Sequence, residues 1–197
     1  MAEHEGAPSR LFLALAPSLD LRRKLGAMAE TLQSDAWSLI PVESRDFHLT
    51  LHFLGATPAR LVDDLKRDLG ALCHARRPFD LRAGGLGCFP DDANPRVLWV
   101  GVLDRAGKLR ELFEAARRVL DGYRLFKLPA NFTPHFTVAR VERLSASWDP
   151  RLLRGIARQW DDLGAFGIEE VLLRSSRTGA AQGPRYETLA ALDLGGA

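Results

Sequence analysis

Two short stretches of the sequence place a threonine two residues after a histidine, with apolar residues between and after them. Residues 48–51 (HLTL) carry His48 and Thr50, and residues 135–138 (HFTV) carry His135 and Thr137. A chain of 197 residues with 5 histidines and a similar number of threonines contains about 0.2 such triplets by chance. Two copies therefore indicate a shared chemical role.

In a β-strand, side chains two residues apart point to the same face. Each motif therefore presents an imidazole beside a hydroxyl, while its apolar residues enter the core. Two imidazoles flanking one space suit in-line displacement at a phosphodiester, because an unperturbed imidazole titrates at about pH 6.5 and serves as base or acid. The hydroxyls of Thr50 and Thr137 can donate to nonbridging phosphate oxygens. Such a site requires no metal and no other cofactor, and the sequence shows no compact cluster of metal ligands.

Three landmarks of the sequence recur at nearly the same offset. The opening strands begin at Leu11 and Val97, 86 residues apart, while His48 and His135 are 87 apart, as are Phe79 and Phe166. The offset predicts an internal duplication, in which residues 10–95 and 96–197 form two β-α-β-α-β halves that pack as two lobes of a single domain. Equivalent strands are then able to face each other across a central cleft. Residues 1–9 are predicted to form a flexible tail.

Strands alternate with amphipathic helices along both halves. The predicted strands are residues 11–16, 47–54, 79–89, 96–103, 134–141, 166–174 and 186–194. The predicted helices begin near Ser18, Pro58, Leu109 and Asp149, and the last of them ends at Gly164. Because the strands are polar on one side, we expect largely antiparallel sheets with helices on their outer faces. The predicted fold class is therefore α+β.

The composition is that of a globular protein. Hydrophobic residues make up 46% and charged residues 26%, which excludes a disordered chain, a coiled coil and a collagen-like fibre. A net charge of +2 is too small to predict a nucleic-acid binder by itself. No apolar run reaches the roughly 18 residues of a membrane span, and the first residues lack a signal-peptide pattern. We therefore expect a cytoplasmic monomer without a membrane partner.

Four segments of the sequence carry a resemblance to a known family. They are residues 10–14 (RLFLA), 48–55 (HLTLHFLG), 95–99 (PRVLW) and 134–140 (PHFTVAR). With the paired motifs, they resemble the 2H phosphoesterases, and within these the RNA 2′,3′-cyclic phosphodiesterases, which are also described as 2′-5′ RNA ligases. The resemblance covers most of the chain and implies a bilobal α+β fold with a catalytic cleft between the lobes. It also implies hydrolysis of an RNA 2′,3′-cyclic phosphate to a 2′-phosphomonoester, and the reverse joining of a 2′ end to a 5′ hydroxyl.

The resemblance also implies roles for individual residues. His48 is expected to donate a proton to the 3′ oxygen, and His135 to accept a proton from water. Thr50, Thr137 and Arg140 are expected to bind the phosphate. Arg140 resembles a phosphate-contacting arginine of the family, yet strict strand alternation places it on the face opposite His135 and Thr137. Contact with substrate there requires a twist or a bulge, and the alternative is a surface ion pair.

Other candidates have a structural and a functional interpretation. His52 is expected on the same strand face as His48 and Thr50, where it either extends the site or faces solvent. Its spacing from His48 mimics a zinc-binding pair, but in a strand the two lie about 13 Å apart and a third ligand is missing, so we reject a metal. Five aromatic residues at strand positions are candidates for base stacking or for the core, namely Phe12, Phe53, Phe89, Trp99 and Tyr186.

The leading hypothesis is a metal-independent phosphodiesterase without a cofactor. Its partner is an RNA that ends in a 2′,3′-cyclic phosphate, tRNA fragments among them, or a nucleotide. Two alternatives stay open. One is a module that binds a nucleotide or an RNA end without converting it. The other is an enzyme for a different phosphoester, such as the cyclic phosphate of a small nucleotide or a 2′-5′ linked oligonucleotide.

Overall fold

Two antiparallel sheets and the helices that cover them form the fold. The structure, a computed structural model, describes residues 9–128, 131–177 and 185–196. Its strands are β1 (Ser9–Leu15), β2 (Trp37–Pro41), β3 (Leu49–Thr57), β4 (Phe79–Phe89), β5 (Val97–Leu103), β6 (His135–Leu144), β7 (Gly164–Ile168), β8 (Glu170–Arg177) and β9 (Arg185–Asp193). Its α-helices are α1 (Leu19–Thr31), α2 (Val62–His74), α3 (Lys108–Gly122) and α4 (Pro150–Ala157). The predicted tail lies outside the described residues except for Ser9, which begins β1.

The strands are divided between a four-stranded and a five-stranded sheet. Sheet A has the strand order β3-β1-β8-β9, and sheet B has the order β2-β6-β5-β4-β7. Every strand is antiparallel to its neighbours. Helix α2 packs on β8 and β9, α3 packs on β3, and α1 packs on β6. The prediction of an α+β fold with antiparallel sheets is confirmed.

The two sheets do not coincide with the two halves of the sequence. Residues 10–95 supply β1 and β3 to sheet A and β2 and β4 to sheet B, and residues 96–197 likewise supply strands to both sheets. The pairing is repeated nonetheless, because the order β3-β1-β8 in sheet A corresponds to the order β6-β5-β4 in sheet B. A sequence offset follows chain order, whereas a sheet depends on which strand edges meet. The offset between the two halves of the sequence therefore does not reveal that each half supplies strands to both sheets.

The segment predicted as one strand over residues 166–174 forms two strands in different sheets. β7 pairs with β4 at the edge of sheet B, and after Glu169 the chain enters sheet A as β8 beside β1. Phe79 and Phe166 consequently lie in neighbouring strands, where Phe166 pairs with Leu81, rather than at equivalent places. Both strands carry apolar residues on their buried faces, so hydrophobic alternation does not reveal a change of sheet.

Two further elements differ from the prediction. Strand β2 was not predicted, although Trp37 at its start is only 5% exposed. It lies at the edge of sheet B and ends at Pro41, where the missing N–H of proline suits an edge. Helix α4 ends at Ala157 and continues as a 3-10 turn over Arg158–Trp160 instead of reaching Gly164.

The apolar residues of the two motifs anchor their strands in the core. Leu49, Phe136 and Val138 are 0% exposed, and Leu51 is 3% exposed. Burying a side chain of this size contributes about 1.5 to 3 kcal/mol, so each motif strand is held from its inner side. The opposite side of both strands is free to present the histidines and threonines.

Candidate active site

His48 and His135 lie at the starts of equivalent strands. His48 directly precedes β3 in sheet A, and His135 is the first residue of β6 in sheet B. β3 and β6 contact each other although they belong to different sheets. An electrostatic interaction with His135, which lowers the pKa of His48, agrees with this contact. The fold thus brings together two histidines that are far apart in the sequence.

Both imidazole rings are held in the same way. Nδ1 of His48 lies 2.6 Å from the carbonyl oxygen of Asp46, and Nδ1 of His135 lies 2.6 Å from that of Thr133. Because a carbonyl oxygen only accepts hydrogen bonds, each Nδ1 carries a hydrogen and donates it. Each Nε2 is therefore the nitrogen left to take up or release a proton.

Thr50 and Thr137 follow the histidines by two residues. Both threonines are half-buried, in contrast to the core residues on either side of them. Thr50 pairs with Ala14 of β1, and Thr137 pairs with Trp99 of β5. Because the strand period is two, one hydroxyl lies on the same face as each imidazole.

A β-bulge decides which face of β6 Arg140 occupies. The register between β6 and β5 shifts between Thr137 and Ala139, so that β6 contains one extra residue. Val138 and Ala139 are both buried, and alternation resumes with Arg140 exposed. Arg140 therefore shares the face of His135 and Thr137. The bulge that a substrate contact requires is present in the strand.

A bulge at the same place in β3 removes His52 from the site. The register between β3 and β1 shifts between Thr50 and His52, and Leu51 and His52 are both buried. Nε2 of His52 lies 2.9 Å from the carbonyl oxygen of Phe113, and the two rings stack with centroids 4.3 Å apart. The expectation that His52 shares a face with His48 and Thr50 is wrong, because the inserted residue interrupts strict alternation.

Phe53 occupies in β3 the place that Arg140 occupies in β6. Each of these residues comes five positions after its motif histidine and directly after the bulge. The Phe53 side chain is 63% exposed. One side of the site thus carries an exposed aromatic ring where the other side carries a cation.

The remaining aromatic candidates pack around the two imidazoles. The ring centroids of Phe12 and Tyr186 are each 5.0 Å from the imidazole of the first motif. Those of Phe89 and Trp99 are 5.1 and 5.9 Å from the imidazole of the second motif. Gly87 makes room for the indole, because a Cβ at this position would collide with the Trp99 ring. These rings cover part of both imidazoles, which are half-buried.

Burial makes both imidazoles hard to protonate. Burial, opposed by the hydrogen bond to Asp46 and joined by the charges of Arg174, His135 and Arg140, lowers the pKa of His48 to about 4. Burial also lowers the pKa of His135, although the hydrogen bond to Thr133 opposes that shift. Both imidazoles are therefore neutral near pH 7 in the free protein. A proton on His48 needs a nearby anion to stabilise it.

Arg174 of β8 is a further residue of the candidate site that the motifs did not reveal. Its guanidinium carbon lies 5.1 Å from the ring centroid of Tyr186 and 5.9 Å from that of Phe12. One of its terminal nitrogens is 3.8 Å from the carboxylate of Asp46. The residue is 7% exposed, and burial lowers its pKa. The available sequence signal was an arginine inside an otherwise apolar strand, in the segment VLLRSS.

The polar groups of the candidate site are imidazoles, hydroxyls, guanidinium groups and the carboxylate of Asp46. Across the described ranges, no three His, Cys, Asp or Glu side chains come together in the way a metal ion requires.

None of the described helices combines the length and the apolar character needed to cross a membrane.

Sequence comparison assigns the chain to a family. The 2′-5′ RNA ligase superfamily matches residues 21–180. An RNA 2′,3′-cyclic phosphodiesterase of Aeropyrum pernix is 32% identical over 169 residues, covering 84% of this chain and 93% of the relative. One of Geobacillus stearothermophilus is 34% identical over 170 residues, covering 83% of this chain and 51% of the relative, so the chain spans about half of that protein. The chain belongs to the 2′-5′ RNA ligase superfamily, which confirms the family recognised from the motifs and the expectation of an enzyme.

Solved structures show the same fold. The crystal structure of TT0787 of Thermus thermophilus matches with a TM-score of 0.78 and 25% identity, over 95% of this chain and 98% of that protein. Escherichia coli LigT, crystallised with 3′-AMP, matches with a TM-score of 0.74 and 24% identity, over 95% and 98% of the two chains. At this identity the second match supports the fold alone.

Proposed function

We propose that the protein is a metal-independent RNA 2′,3′-cyclic phosphodiesterase that produces 2′-phosphomonoesters. The proposal rests on two imidazoles, one from each sheet, at the starts of the contacting strands β3 and β6, each of which donates through Nδ1 to a carbonyl oxygen and leaves its Nε2 for proton transfer. The names of the relatives described above support the same activity. Because both histidines come from one chain, a monomer contains the whole site.

The proposed reaction assigns one proton transfer to each histidine. Nε2 of His135 accepts a proton from water as the water oxygen forms a bond to phosphorus. The bond between phosphorus and the 3′ oxygen breaks, and Nε2 of His48 donates a proton to that oxygen. One water is consumed, and the products carry a 2′-phosphomonoester and a 3′ hydroxyl. With the 5′ hydroxyl of a second RNA in place of water, the same two groups would join a 2′ end to that RNA: His135 accepts the hydroxyl proton, the bond between phosphorus and the 3′ oxygen breaks, and His48 protonates the 3′ oxygen.

The depressed pKa of His48 is compatible with its role as the proton donor. A cyclic phosphate carries one negative charge, and bound in the cleft it offsets the repulsion that Arg174 and Arg140 exert on a protonated His48. The proton would then be stabilised in the complex and not in the free protein. Once protonated, an imidazole of low pKa gives up its proton readily to the leaving oxygen.

The phosphate itself would be bound by hydroxyls and one exposed cation. Thr50 and Thr137 can donate to its two nonbridging oxygens, one from each side of the cleft. Arg140, on the face of His135, can pair with the same oxygens through its planar guanidinium group. The proposed partner is thus the phosphorylated end of an RNA, including a tRNA fragment, or a nucleotide that carries the same group.

The test is the hydrolysis of an oligoribonucleotide with a 2′,3′-cyclic phosphate end in the presence of EDTA, with identification of the monoester isomer. We expect the 2′-phosphate, and we expect His48→Ala and His135→Ala each to lower kcat by roughly a hundredfold to ten-thousandfold. His74→Ala, a histidine exposed at the end of α2, is the matched control and should retain activity. Undiminished turnover in either cleft variant contradicts the assigned roles. Tight binding without product favours a binding module, and turnover of other phosphoesters alone favours a different substrate.

A further inference from the structure

The orientation of His48 depends on a short turn that precedes it. Residues Ser44–Asp46 form a 3-10 turn, and the carbonyl oxygen of Asp46 accepts the hydrogen bond from His48 Nδ1. Phe47, between the two, is 1% exposed and fixes the chain in the core. A displacement of the turn would therefore rotate the imidazole and move its Nε2.

Two arginines from distant parts of the chain hold this turn. Arg22 of α1 donates to the carbonyl oxygen of Ser44 at 2.5 Å. Arg174 of β8 lies 3.8 Å from a carboxylate oxygen of Asp46. The side chains of Arg174 and Asp46 are 9% and 18% exposed, so solvent screens their interaction less than it screens a surface pair.

Arg174 is itself held in place by the strands around it. It pairs with Phe12 of β1 and lies against the rings of Phe12 and Tyr186. Its Nε is buried and has no hydrogen-bond partner among the described residues. A buried guanidinium group with an unpaired donor costs stability. Packing alone therefore gives no reason for a cation at this position.

We propose that Arg174 is a positioning residue for His48, acting through its ion pair with Asp46. The inference rests on the proposed function, in which Nε2 of His48 must face the leaving oxygen. On the other side of the cleft, His135 is held by the carbonyl oxygen of Thr133, and no ion pair of Thr133 or its described neighbours accompanies that bond. Both histidines thus donate the same kind of hydrogen bond through Nδ1. Among the described residues, only the residue that accepts it from His48 also forms an ion pair, that of Asp46 with Arg174, which we call the clamp.

Several charged groups face this clamp and enter any pH dependence. Arg174 is faced by Asp46, Tyr186 and Arg22. Asp46 is also faced by Arg45 and Glu43. The imidazole of His48 is faced by Arg174, His135 and Arg140. Of these, Arg174 is the group that repels a protonated His48 and also holds Asp46.

The test compares two variants that break the same ion pair from opposite ends. Arg174→Gln removes the cation, and Asp46→Asn removes the carboxylate while keeping the carbonyl that His48 needs. We expect both to lower kcat by about 10- to 100-fold, with KM changed less than about threefold, because the imidazole is misplaced and not removed. The two should differ in the titration of His48 followed by NMR in the free protein. The pKa of His48 should rise in Arg174→Gln and stay low in Asp46→Asn.

The controls separate positioning from other roles. Arg82→Gln breaks an arginine–aspartate pair with Asp162 at another place in the fold, and it should change neither kcat nor the titration of His48. Arg174→Lys, which keeps the charge, should keep the pKa of His48 low and recover part of kcat. A rise of KM alone in Arg174→Gln would mean that Arg174 binds substrate, and an unchanged kcat and titration in both variants would also overturn the proposal. The NMR titration needs no substrate, so it tests the effect of Arg174 on His48 even if the protein does not hydrolyse the proposed substrate.

Discussion

The two sides of the candidate site, β3 and β6, have the same backbone frame and different side chains. On both sides an imidazole donates through Nδ1 to a carbonyl oxygen two residues earlier, and a bulge follows the threonine. After the bulge, however, one side presents Phe53 and the other presents Arg140. The cation on the first side comes instead from another strand, as the buried Arg174. A repeated frame thus yields two unequal environments for two identical residues.

This inequality gives the two imidazoles different proton affinities. The pKa of His48 falls to about 4, because burial and the neighbouring charges, that of Arg174 above all, outweigh the hydrogen bond to Asp46. The pKa of His135 is also lowered, by burial alone against one opposing hydrogen bond. In the free protein His48 is thus the imidazole that holds a proton less readily, so its proposed role as donor depends on the negative charge of a bound phosphate. The charges around the two motifs, which the motifs themselves do not contain, therefore give two identical residues different proton affinities.

The largest effect outside the histidines is expected at Arg140. Arg140→Gln removes the exposed cation from the side of His135, and we expect kcat/KM for a cyclic phosphate to fall by about a hundredfold or more. Arg143→Gln, an exposed position on the same strand, is the matched control and should change little. Steady-state kinetics measure both. An Arg140 variant with wild-type kinetics would assign that side chain to the surface and leave the cleft with one buried cation only.

A second effect is expected in the pH dependence of stability, and it arises from His48. Its pKa is about 4 in the folded chain and about 6.5 in an unfolded one, so the unfolded state takes up the proton first as the pH falls. The free energy of unfolding should therefore decrease between pH 6.5 and 4, by at most about 3 kcal/mol from this group. His48→Asn should remove that part of the decrease, as measured by urea unfolding at pH 7 and pH 4.5. Equal pH dependence of variant and wild type would mean that His48 is not the more shielded imidazole.

The smallest effect is expected at Phe53, the counterpart of Arg140. Its exposed ring is suited to stack on a base of the bound RNA, which contributes about 1 to 3 kcal/mol at a full stacking site. We expect Phe53→Leu to raise KM by roughly three- to tenfold with little change in kcat, since Leu keeps the apolar contact and loses the stacking face. Leu103→Ala, an exposed apolar residue at the end of β5, is a control away from the motifs. A selective loss of kcat in Phe53→Leu would place this ring near the reacting atoms instead.

The sequence was sufficient for the motif strands. The period of two put His48 with Thr50 and His135 with Thr137, and it sent the apolar motif residues into the core, where they are found. The period of two no longer holds directly after Thr50 and Thr137, because in each strand a bulge adds one residue that the local sequence pattern does not predict. His52 was therefore assigned to the wrong face, and the same irregularity decided the face of Arg140.

The sequence also could not show what the cleft receives from other strands. Arg174 belongs to β8, which the sequence pattern joined to β7 as one strand although the two lie in different sheets. Its neighbours Phe12 and Tyr186 are distant in the chain. The position of an isolated charged residue in a strand depends on which strands flank it. Only the pairing of β8 with β1 places this cation beside His48.

The amino-acid sequence by itself determined the chemical groups of the site, the α+β class and the family, because motif identity and local periodicity are properties of neighbouring residues. The tertiary structure alone decided the sharing of strands between the sheets, the effect of the two bulges and the proton affinity of each histidine. These depend on contacts between residues far apart in the chain, and on the burial and charge that such contacts create.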